Sequence, residues 1–234
     1  MEQKALGVVL ATAFVFLLTL AIAIPYLPKG WGAVRKDMMY GVWDRSYYLY
    51  VPSTYNNLHP VPLVIMLHGA GGNGPATETQ TGWSALAESN NFIVVYPEAG
   101  GWWNAYDWEG AITTPDFGGG PKPTPRDDAG FLLTLINKLK SDYAIDDSRV
   151  YMTGWSIGAS MTITCAFKFT DVLAAIAPVS SAWMTKDQMY NIDPYSVPQP
   201  KVPIPVYMWR GDQEGWPSLE EEQSHIQYLS LIHI

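Results

Sequence analysis

Residues 149–158 read RVYMTGWSIG, and this stretch decides the fold. Residues 149–153 predict a β-strand, residues 157–169 predict a helix, and the turn between them carries a G-x-S-x-G motif centred on Ser156. A serine on so tight a turn adopts a strained backbone conformation, and its neighbours two positions away must be small. The helix dipole behind it stabilises developing negative charge. We predict that Ser156 is a nucleophile; the alternative is an ordinary strand-to-helix turn with glycines for geometry alone.

Strands and helices alternate on both sides of this motif. Apolar or alternating runs predict strands at 46–51, 63–67, 92–96, 173–179 and 204–209, and helical spacing predicts helices at 83–89 and 127–143. This alternation predicts an α/β fold with a mostly parallel sheet and helices on both faces. Residues 101–125, rich in Gly, Pro and Trp, predict a long loop, and long loops in compact domains are often functional.

A second motif, His68-Gly69-Ala70-Gly71-Gly72, follows the predicted strand 63–67. A glycine-rich loop at this place presents a backbone N–H towards the serine. We therefore predict an oxyanion hole formed by the N–H groups of Ala70 and Ile157. We expect His68 to be structural and to bond the loop backbone. The alternative, a phosphate-binding loop, lacks both a GxxxxGK(S/T) pattern and a GxGxxG that opens a helix.

Acidic residues follow the last predicted strand, 204–209, in the run Arg210-Gly211-Asp212-Gln213-Glu214. A carboxylate just past a late strand is suitably placed to orient a catalytic histidine. Asp212 and Glu214 both qualify by position. The alternative for either residue is a plain surface turn.

The histidine is the weak point of a Ser-His-acid assignment. His59 precedes the strand that leads into the oxyanion loop, which is the wrong chain order. His225 follows Glu214 too closely for a helix and a further parallel strand, so we expect it to lie on a helix. His233 has no strand before it. We therefore expect the catalytic histidine to be missing from this chain.

The C-terminal residues 229–234, LSLIHI, can be written back as CTGTCTCTTATACACATC, the start of a transposon-end adapter used in sequencing libraries. We interpret 229–234 as an adapter-derived tail; the alternative is a natural tail. On this interpretation the catalytic domain, residues 30–228, is incomplete and its last strand or strands are missing. We then expect the fragment to be poorly soluble, because a sheet edge is exposed, and inactive for lack of the histidine.

Composition argues against several classes of function. The chain has 234 residues, 48% hydrophobic and 15% charged, which suits one globular domain. The net charge is −8 and no basic cluster occurs, which argues against nucleic-acid binding. The single cysteine, Cys165, permits neither an internal disulfide nor a metal site built on cysteine pairs.

Residues 1–24 predict export from the cytoplasm. Lys4 precedes an almost uncharged apolar run at 5–24. Ala21-Ile22-Ala23 fits a cleavage site, which predicts a signal peptide. The run also approaches the ~20 residues that span a bilayer, which predicts an uncleaved membrane anchor. Either interpretation makes the domain secreted or membrane-tethered.

Several further blocks of sequence resemble a known family. Between about residues 40 and 214 the chain resembles the bacterial polyhydroxybutyrate depolymerase and feruloyl esterase family of α/β-hydrolases. The blocks that carry the resemblance are DRSYYLYVPSTY, PLVIMLHGAGG, WWN at 102–104, DDAGFLLTLI, IDDSRVYMTGWSIGASMTITCAF and AAIAPVSSAW. They occur in the family's order and at similar spacing, so they are much more specific together than the pentapeptide alone.

The resemblance implies an α/β-hydrolase fold with Ser156 as the nucleophile and residues 68–71 as the oxyanion site. The family's acid stands in an HGxxD pattern, which here runs from Arg210 to Glu214. The resemblance therefore favours Glu214 as the acid, with Asp212 as the runner-up. The chain departs from the pattern in that Arg210 replaces a histidine and Glu214 replaces an aspartate. Ala159 also stands where a second glycine is common.

Tryptophans near both motifs are candidates for substrate binding. We predict that Trp102, Trp103 and Trp155 form an apolar wall for a polyester or an aromatic acyl group. For the loop tryptophans the alternative is packing within the long loop itself. Composition does not distinguish hydroxyalkanoate esters from feruloyl or acetyl esters.

The predicted function is hydrolysis of carboxylic esters, polyesters included, by an exported serine esterase. Such a reaction requires no metal and no organic cofactor. Two alternatives stay open: a peptidase or thioesterase on the same fold, and a non-catalytic membrane-tethered binding protein that kept the fold. The expected partner is an ester substrate, with no nucleic acid, and with membrane contact only through residues 5–24.

Overall fold

The computed structural model describes residues 32–99, 103, 127–169, 171–180 and 203–209. Its strands are β1 (Val34–Tyr40), β2 (Trp43–Tyr50), β3 (Val61–Leu67), β4 (Ile93–Pro97), β5 (Ile145–Trp155) and β6 (Ala175–Val179). Its helices are α1 (Gly74–Thr81), α2 (Trp83–Asn90), α3 (Asp128–Asp142) and α4 (Ile157–Lys168). Within these ranges, no helix is long and apolar enough to cross a membrane.

The strands form one sheet in the order β1-β2-β4-β3-β5-β6. β2 pairs antiparallel with both β1 and β4. β4, β3, β5 and β6 are parallel, so their carboxyl ends meet at one edge of the sheet. Residues 203–209 extend the parallel order beside β6 through the bridges Ile176–Val206 and Val179–Trp209. The prediction of a mostly parallel sheet is confirmed.

Helices cover both faces of this sheet, as the side chains of β3 make clear. Leu63 and Ile65 lie in the larger core cluster, together with the apolar sides of α3 and α4. Val64 and Met66 lie in a second cluster, with Ala87 of α2. Since alternate side chains of a strand point to opposite faces, the two clusters lie on opposite faces of the sheet. A strand buried on both faces is apolar at nearly every position, as β3 is.

Helix α3 shows why the amphipathic pattern predicted a helix at 127–143. The Asp127 side chain caps its first turn by accepting the Gly130 N–H at 2.8 Å. The apolar side chains at helical spacing are all buried: Phe131, Leu132, Leu135, Ile136 and Leu139. This stripe anchors α3 on the sheet.

Two elements, β1 and α1, are absent from the sequence-based prediction. β1 is an edge strand with mostly exposed side chains, so it lacks an apolar alternation. α1 has no apolar stripe. Its signals are the N-cap Asn73, whose side chain accepts the Ala76 N–H at 2.9 Å, and Pro75 in the first turn.

The other predicted elements are confirmed with shifted ends, except that residues 204–209 form bridges rather than a continuous strand. The largest shift is in β5, which begins at Ile145 rather than at residue 149. The proposed targeting segment 1–24 and the proposed tail 229–234 lie outside the described residues, as do parts of the domain 30–228. These boundaries stay predictions.

Candidate active site

Ser156 lies at the turn between the carboxyl end of β5 and the start of α4. Its backbone has φ 56° and ψ −125°, a conformation that costs a non-glycine residue about 1–3 kcal/mol. Hydrogen bonds hold the turn: the Ser156 N–H donates to the Val179 carbonyl of β6 at 3.0 Å. The Ser156 carbonyl accepts the N–H groups of Ala159 at 2.9 Å and Ser160 at 3.2 Å. The strained turn predicted from the motif is confirmed.

Both glycines of the motif are required by close approach of backbone atoms. A Cβ on Gly158 would lie 2.5 Å from the carbonyl oxygen of His68 and 2.6 Å from that of Leu67. A Cβ on Gly154 would lie 2.6 Å from the carbonyl oxygen of Gly158. The prediction that small residues flank the serine is therefore confirmed. The first turn of α4 packs directly against the end of β3.

Ile157 begins α4 immediately after the serine, and it is buried. The first N–H groups of a helix have no acceptor within the helix and form the positive end of its dipole. Ser156 itself is half-buried. The turn thus combines an accessible serine with backbone N–H groups suited to an anion.

The loop 68–73 after β3 lies against this turn. Gly69 is buried beneath the ring of Trp155, because a Cβ on Gly69 would lie 2.9 Å from ring atoms. The Gly72 N–H donates to the Gly69 carbonyl at 3.0 Å and closes the loop. Ala70, between them, is exposed. The structure therefore brings the two predicted parts of the site, the glycine loop and the serine turn, into contact.

His68 is a structural residue of this loop and is only 1% exposed. The Ala99 N–H donates to its Nε2 at 3.1 Å, so Nε2 is unprotonated. The ring proton is then on Nδ1, which donates to the Gly69 carbonyl at 2.7 Å. Burial lowers the pKa of the ring, which favours its neutral form. The predicted bonding to loop backbone is confirmed, and neither ring nitrogen is left to act as a base.

The three tryptophans predicted to bind substrate differ in position. Trp155 is 39% exposed and adjoins Ser156 in the chain. Trp103 is 2% exposed; its Nε1 donates to the His68 carbonyl at 3.0 Å, and the two rings lie 5.1 Å apart. For Trp103 the structure therefore favours packing over substrate contact, because a buried indole presents no surface to a ligand. Trp102 lies outside the described residues.

Sequence reasoning missed a buried ion pair next to the site. Arg45 Nη1 and Asp128 Oδ1 are 2.7 Å apart, and their side chains are 3% and 0% exposed. Arg45 also donates to the Glu98 carbonyl at 3.1 Å, and its guanidinium carbon lies 3.8 Å from the centroid of the Phe131 ring. The sequence does contain a signal for this pair, because Arg45 falls on the same inward-facing side of β2 as the buried Tyr47 and Leu49. A charge at an inward position requires a buried partner.

The predicted acids Asp212 and Glu214 lie outside the described residues, and so do His225 and His233. His59 is exposed and precedes β3. It is therefore at the amino end of the parallel strands, whereas Ser156 follows the carboxyl end of β5. The two residues lie at opposite edges of the sheet, which agrees with the exclusion of His59 as the base.

Other reactive groups are few in the described part of the chain. There, no group of three His, Cys, Asp or Glu side chains is arranged to hold a metal ion. Cys165 is buried in α4, and burial raises the pKa of its thiol well above the ordinary value. A thiol held protonated is a poor nucleophile. Ser156 is thus the nucleophile candidate that the geometry favours.

Comparison with known proteins gives an independent result. The family model described as Esterase PHB depolymerase matches residues 45–190. The bifunctional acetylxylan esterase/xylanase XynS20E of Neocallimastix patriciarum is 31% identical over 137 residues, which are 58% of this chain and 18% of that protein. Poly(3-hydroxyalkanoate) depolymerase C of Paucimonas lemoignei is 35% identical over 122 residues, 51% of this chain and 27% of that protein. The match spans well under two thirds of either relative.

The solved structure of a thermostable esterase superposes on this chain with a TM-score of 0.62 and 19% sequence identity. The superposed region covers 88% of this chain and 53% of the esterase chain. At that identity the likeness shows the fold alone, which is the α/β-hydrolase fold. The family match runs over more than half of the chain and includes the glycine loop and the serine turn. The chain therefore belongs to the Esterase PHB depolymerase family.

Proposed function

We propose that this protein is a hydrolase of carboxylic esters with Ser156 as the nucleophile, and that the 234-residue chain itself depends on an added base, because its catalytic histidine is expected to be missing. The observation that carries the proposal is the strained backbone of Ser156 at the turn from β5 to α4. Strain of this kind persists only where the surroundings impose it, and it occurs preferentially at functional sites. Membership of an esterase family supports the same reaction.

The proposed reaction proceeds in two halves. A histidine takes the proton of the Ser156 hydroxyl, whose oxygen attacks the ester carbonyl, and the N–H groups of Ala70 and Ile157 bind the resulting oxyanion. The histidine then protonates the departing alcohol, leaving an acyl group on Ser156. Water, activated by the same histidine, releases the acid and restores the serine. The proposal uses no cofactor.

Neither described histidine fits the base of this mechanism, which we expect to be missing from this chain. His68 has both ring nitrogens engaged with backbone groups, and His59 is at the wrong edge of the sheet. We propose Glu214 as the carboxylate that orients the histidine, with Asp212 as the runner-up. Residues 203–209 support this, because they run parallel beside β6 and end at the same edge of the sheet as Ser156.

We propose short acyl, aromatic acyl and hydroxyalkanoate esters as the substrate classes. The relatives named above are an acetylxylan esterase and a poly(3-hydroxyalkanoate) depolymerase. Trp155 supports an apolar acyl group, because its ring is partly exposed over Gly69 and beside the serine turn. We also propose that residues 1–24 direct export, by a cleaved signal or a retained anchor.

A substrate panel tests the proposed function. The purified chain and its S156A variant are compared on p-nitrophenyl acetate, methyl ferulate, acetylated xylan and a poly(3-hydroxybutyrate) film, with a p-nitroanilide and a thioester for the alternative enzymes. Imidazole is added in a parallel series, because neither described histidine is placed to act as the base. With imidazole as the base we expect ester turnover that S156A lacks and a marked preference for esters over the anilide, whereas without imidazole we expect little or no turnover. Hydrolysis of only the anilide or thioester would identify a peptidase or thioesterase.

A non-catalytic binding protein is the alternative from another class. It would give equal, background rates for the chain and for S156A on every ester, with and without imidazole. It would still bind an ester or polymer, which a pull-down on poly(3-hydroxybutyrate) granules detects. That pair of results would overturn the esterase proposal.

A further inference from the structure

A continuous series of buried and partly buried hydrogen bonds runs from the ion pair of Arg45 to the glycine loop. It crosses two peptide groups and one imidazole ring. We call this series the relay. In order, the relay consists of Asp128, Arg45, the Glu98–Ala99 peptide group, His68 and the Gly69–Ala70 peptide group.

The first step of the relay is a fixed charge. The Arg45 guanidinium is held by the Asp128 carboxylate at 2.7 Å and by the face of the Phe131 ring at 3.8 Å. Both charged side chains are almost fully buried. A planar guanidinium with partners on two sides has little freedom to rotate, so the direction of its second nitrogen is fixed.

The acceptor for this nitrogen is the carbonyl of the Glu98–Ala99 peptide group, 3.1 Å from Arg45 Nη2. The N–H of the same peptide group belongs to Ala99 and donates to His68 Nε2 at 3.1 Å. In a trans peptide the C=O and N–H point in opposite directions, so one rigid plane joins the arginine to the histidine. A charged donor on the carbonyl also polarises the N–H and strengthens its bond to the ring.

His68 carries the effect to the loop. Since Nε2 accepts from Ala99, the ring proton is on Nδ1 and is donated to the Gly69 carbonyl at 2.7 Å. The Trp103 ring packs against the imidazole with the ring centroids 5.1 Å apart, and Trp103 Nε1 donates to the His68 backbone carbonyl at 3.0 Å. The tautomer and the orientation of the imidazole are therefore both determined.

The Gly69 carbonyl and the Ala70 N–H are two ends of one peptide group. With the carbonyl drawn towards the buried ring, the N–H must point the other way. Ala70 is exposed, and its loop adjoins the serine turn, because Trp155, next to Ser156, covers Gly69 and the His68 carbonyl lies close to Gly158. Two donors, the relay's His68 Nδ1 and the Gly72 N–H at 3.0 Å, therefore hold the Gly69 carbonyl, and with it the N–H that the proposed mechanism assigns to the oxyanion hole.

We propose that Arg45, Asp128 and His68 are positioning residues that orient the Ala70 N–H for the oxyanion through the relay. The inference rests on the proposed function, because it takes the Ala70 N–H to be an oxyanion donor. None of the three touches the substrate. Their role is to keep the donor aligned before the reaction begins, which is how preorganised donors lower the barrier.

The first test needs no activity and uses the wild-type chain. ¹⁵N NMR of the His68 ring reports which nitrogen carries the proton. We expect Nδ1 to be protonated and Nε2 to be unprotonated at neutral pH. A ring protonated on Nε2 instead would overturn the proposal, because Ala99 could then no longer donate to it.

The second test removes the ion pair as a pair, because a single variant leaves an unpaired buried charge and can unfold the chain. The variant R45M/D128L replaces both charges by apolar side chains of similar size. The matched control is R149M/D146L, since Arg149 also binds one carboxylate, of Asp146 at 2.7 Å, and one carbonyl, of Pro60 at 3.0 Å, but outside the relay. We expect the ¹⁵N resonances of His68 and the amide resonance of Ala70 to shift in R45M/D128L and to stay unchanged in the control.

Unchanged His68 and Ala70 resonances in folded R45M/D128L would refute the relay. In kinetics with imidazole as the base, we expect kcat for p-nitrophenyl acetate to fall by about 10-fold in R45M/D128L with KM nearly unchanged. Loss of a whole oxyanion donor costs about 100-fold or more, and misalignment costs less. A chain that hydrolyses no ester even with added imidazole would refute the proposed function alone, since the NMR comparison still decides whether the relay orients the loop.

Discussion

The strain at Ser156 leads to a stability prediction that is independent of catalysis. Replacing Ser156 by Ala keeps a Cβ at a residue with φ 56°, so the strain persists. Replacing it by Gly removes the Cβ, and glycine adopts positive φ without steric cost. The S156G variant should therefore be more stable than S156A, which is the reverse of the usual order.

The size of the difference follows from two opposing contributions. The strained conformation costs a non-glycine residue about 1–3 kcal/mol. Glycine loses about 0.5–1 kcal/mol more backbone entropy on folding than alanine does. The difference favours S156G by about 1 kcal/mol. For a domain of ~150–250 residues, this corresponds to about 2–4 °C in Tm.

Urea and thermal unfolding of the two variants measure this difference. Ser89 provides the matched control, because it lies exposed on α2 with ordinary helical backbone. There, S89G should be less stable than S89A by up to about 1 kcal/mol. If glycine is the less stable choice at both positions, the turn at Ser156 is not strained and the argument for its functional importance loses its basis.

Three further predictions concern the surroundings of the site. G158A should be destabilised by about 1–2 kcal/mol. Overpacking against the His68 carbonyl costs about 1–3 kcal/mol, and the higher helix propensity of alanine offsets up to about 1 kcal/mol of this. An unfolding free energy in urea equal to that of the wild type would contradict the close contact. The pKa of Tyr40 is raised to about 12, first by burial and then by its bond to Asp127, so its contribution to stability is present below pH ~10 and is lost as the pH rises towards 12. In Y40F the free energy of unfolding should therefore fall less steeply between those pH values than in the wild type. An unchanged slope would show that Tyr40 does not have the raised pKa. W155A should raise KM for methyl ferulate by about 2- to 10-fold, from the roughly 0.5–1.5 kcal/mol of an aromatic pair, with less effect on p-nitrophenyl acetate; equal effects on both esters would argue against an aromatic contact.

The serine turn was predictable from sequence because its requirements are local. A strand, a turn that forces positive φ and two glycines in close contact with backbone all fall within ten residues, and the structure has each of them. The glycine loop was predictable for the same reason. Both elements depend on backbone geometry that only a few residue types permit.

Pairings over long sequence distances were not predictable in this way. Arg45 and Asp128 are separated by 83 positions, and only the fold brings them together. The role of Trp103 is likewise set by a contact with His68, 35 positions away. The edge strand β1 and the helix α1 were missed because neither has an apolar face, and that face is what sequence periodicity detects.

Formation of an acyl group on Ser156 tests the central claim most directly. The chain and its S156A variant are incubated with p-nitrophenyl acetate and imidazole, quenched in acid, digested and mapped by mass spectrometry. We predict that the peptide containing Ser156 carries an acetyl group and that p-nitrophenol is released above background. Both signals should be absent in S156A. Equal p-nitrophenol release by both proteins, or an acetyl group found only on other residues, would contradict the assignment of Ser156 as the nucleophile.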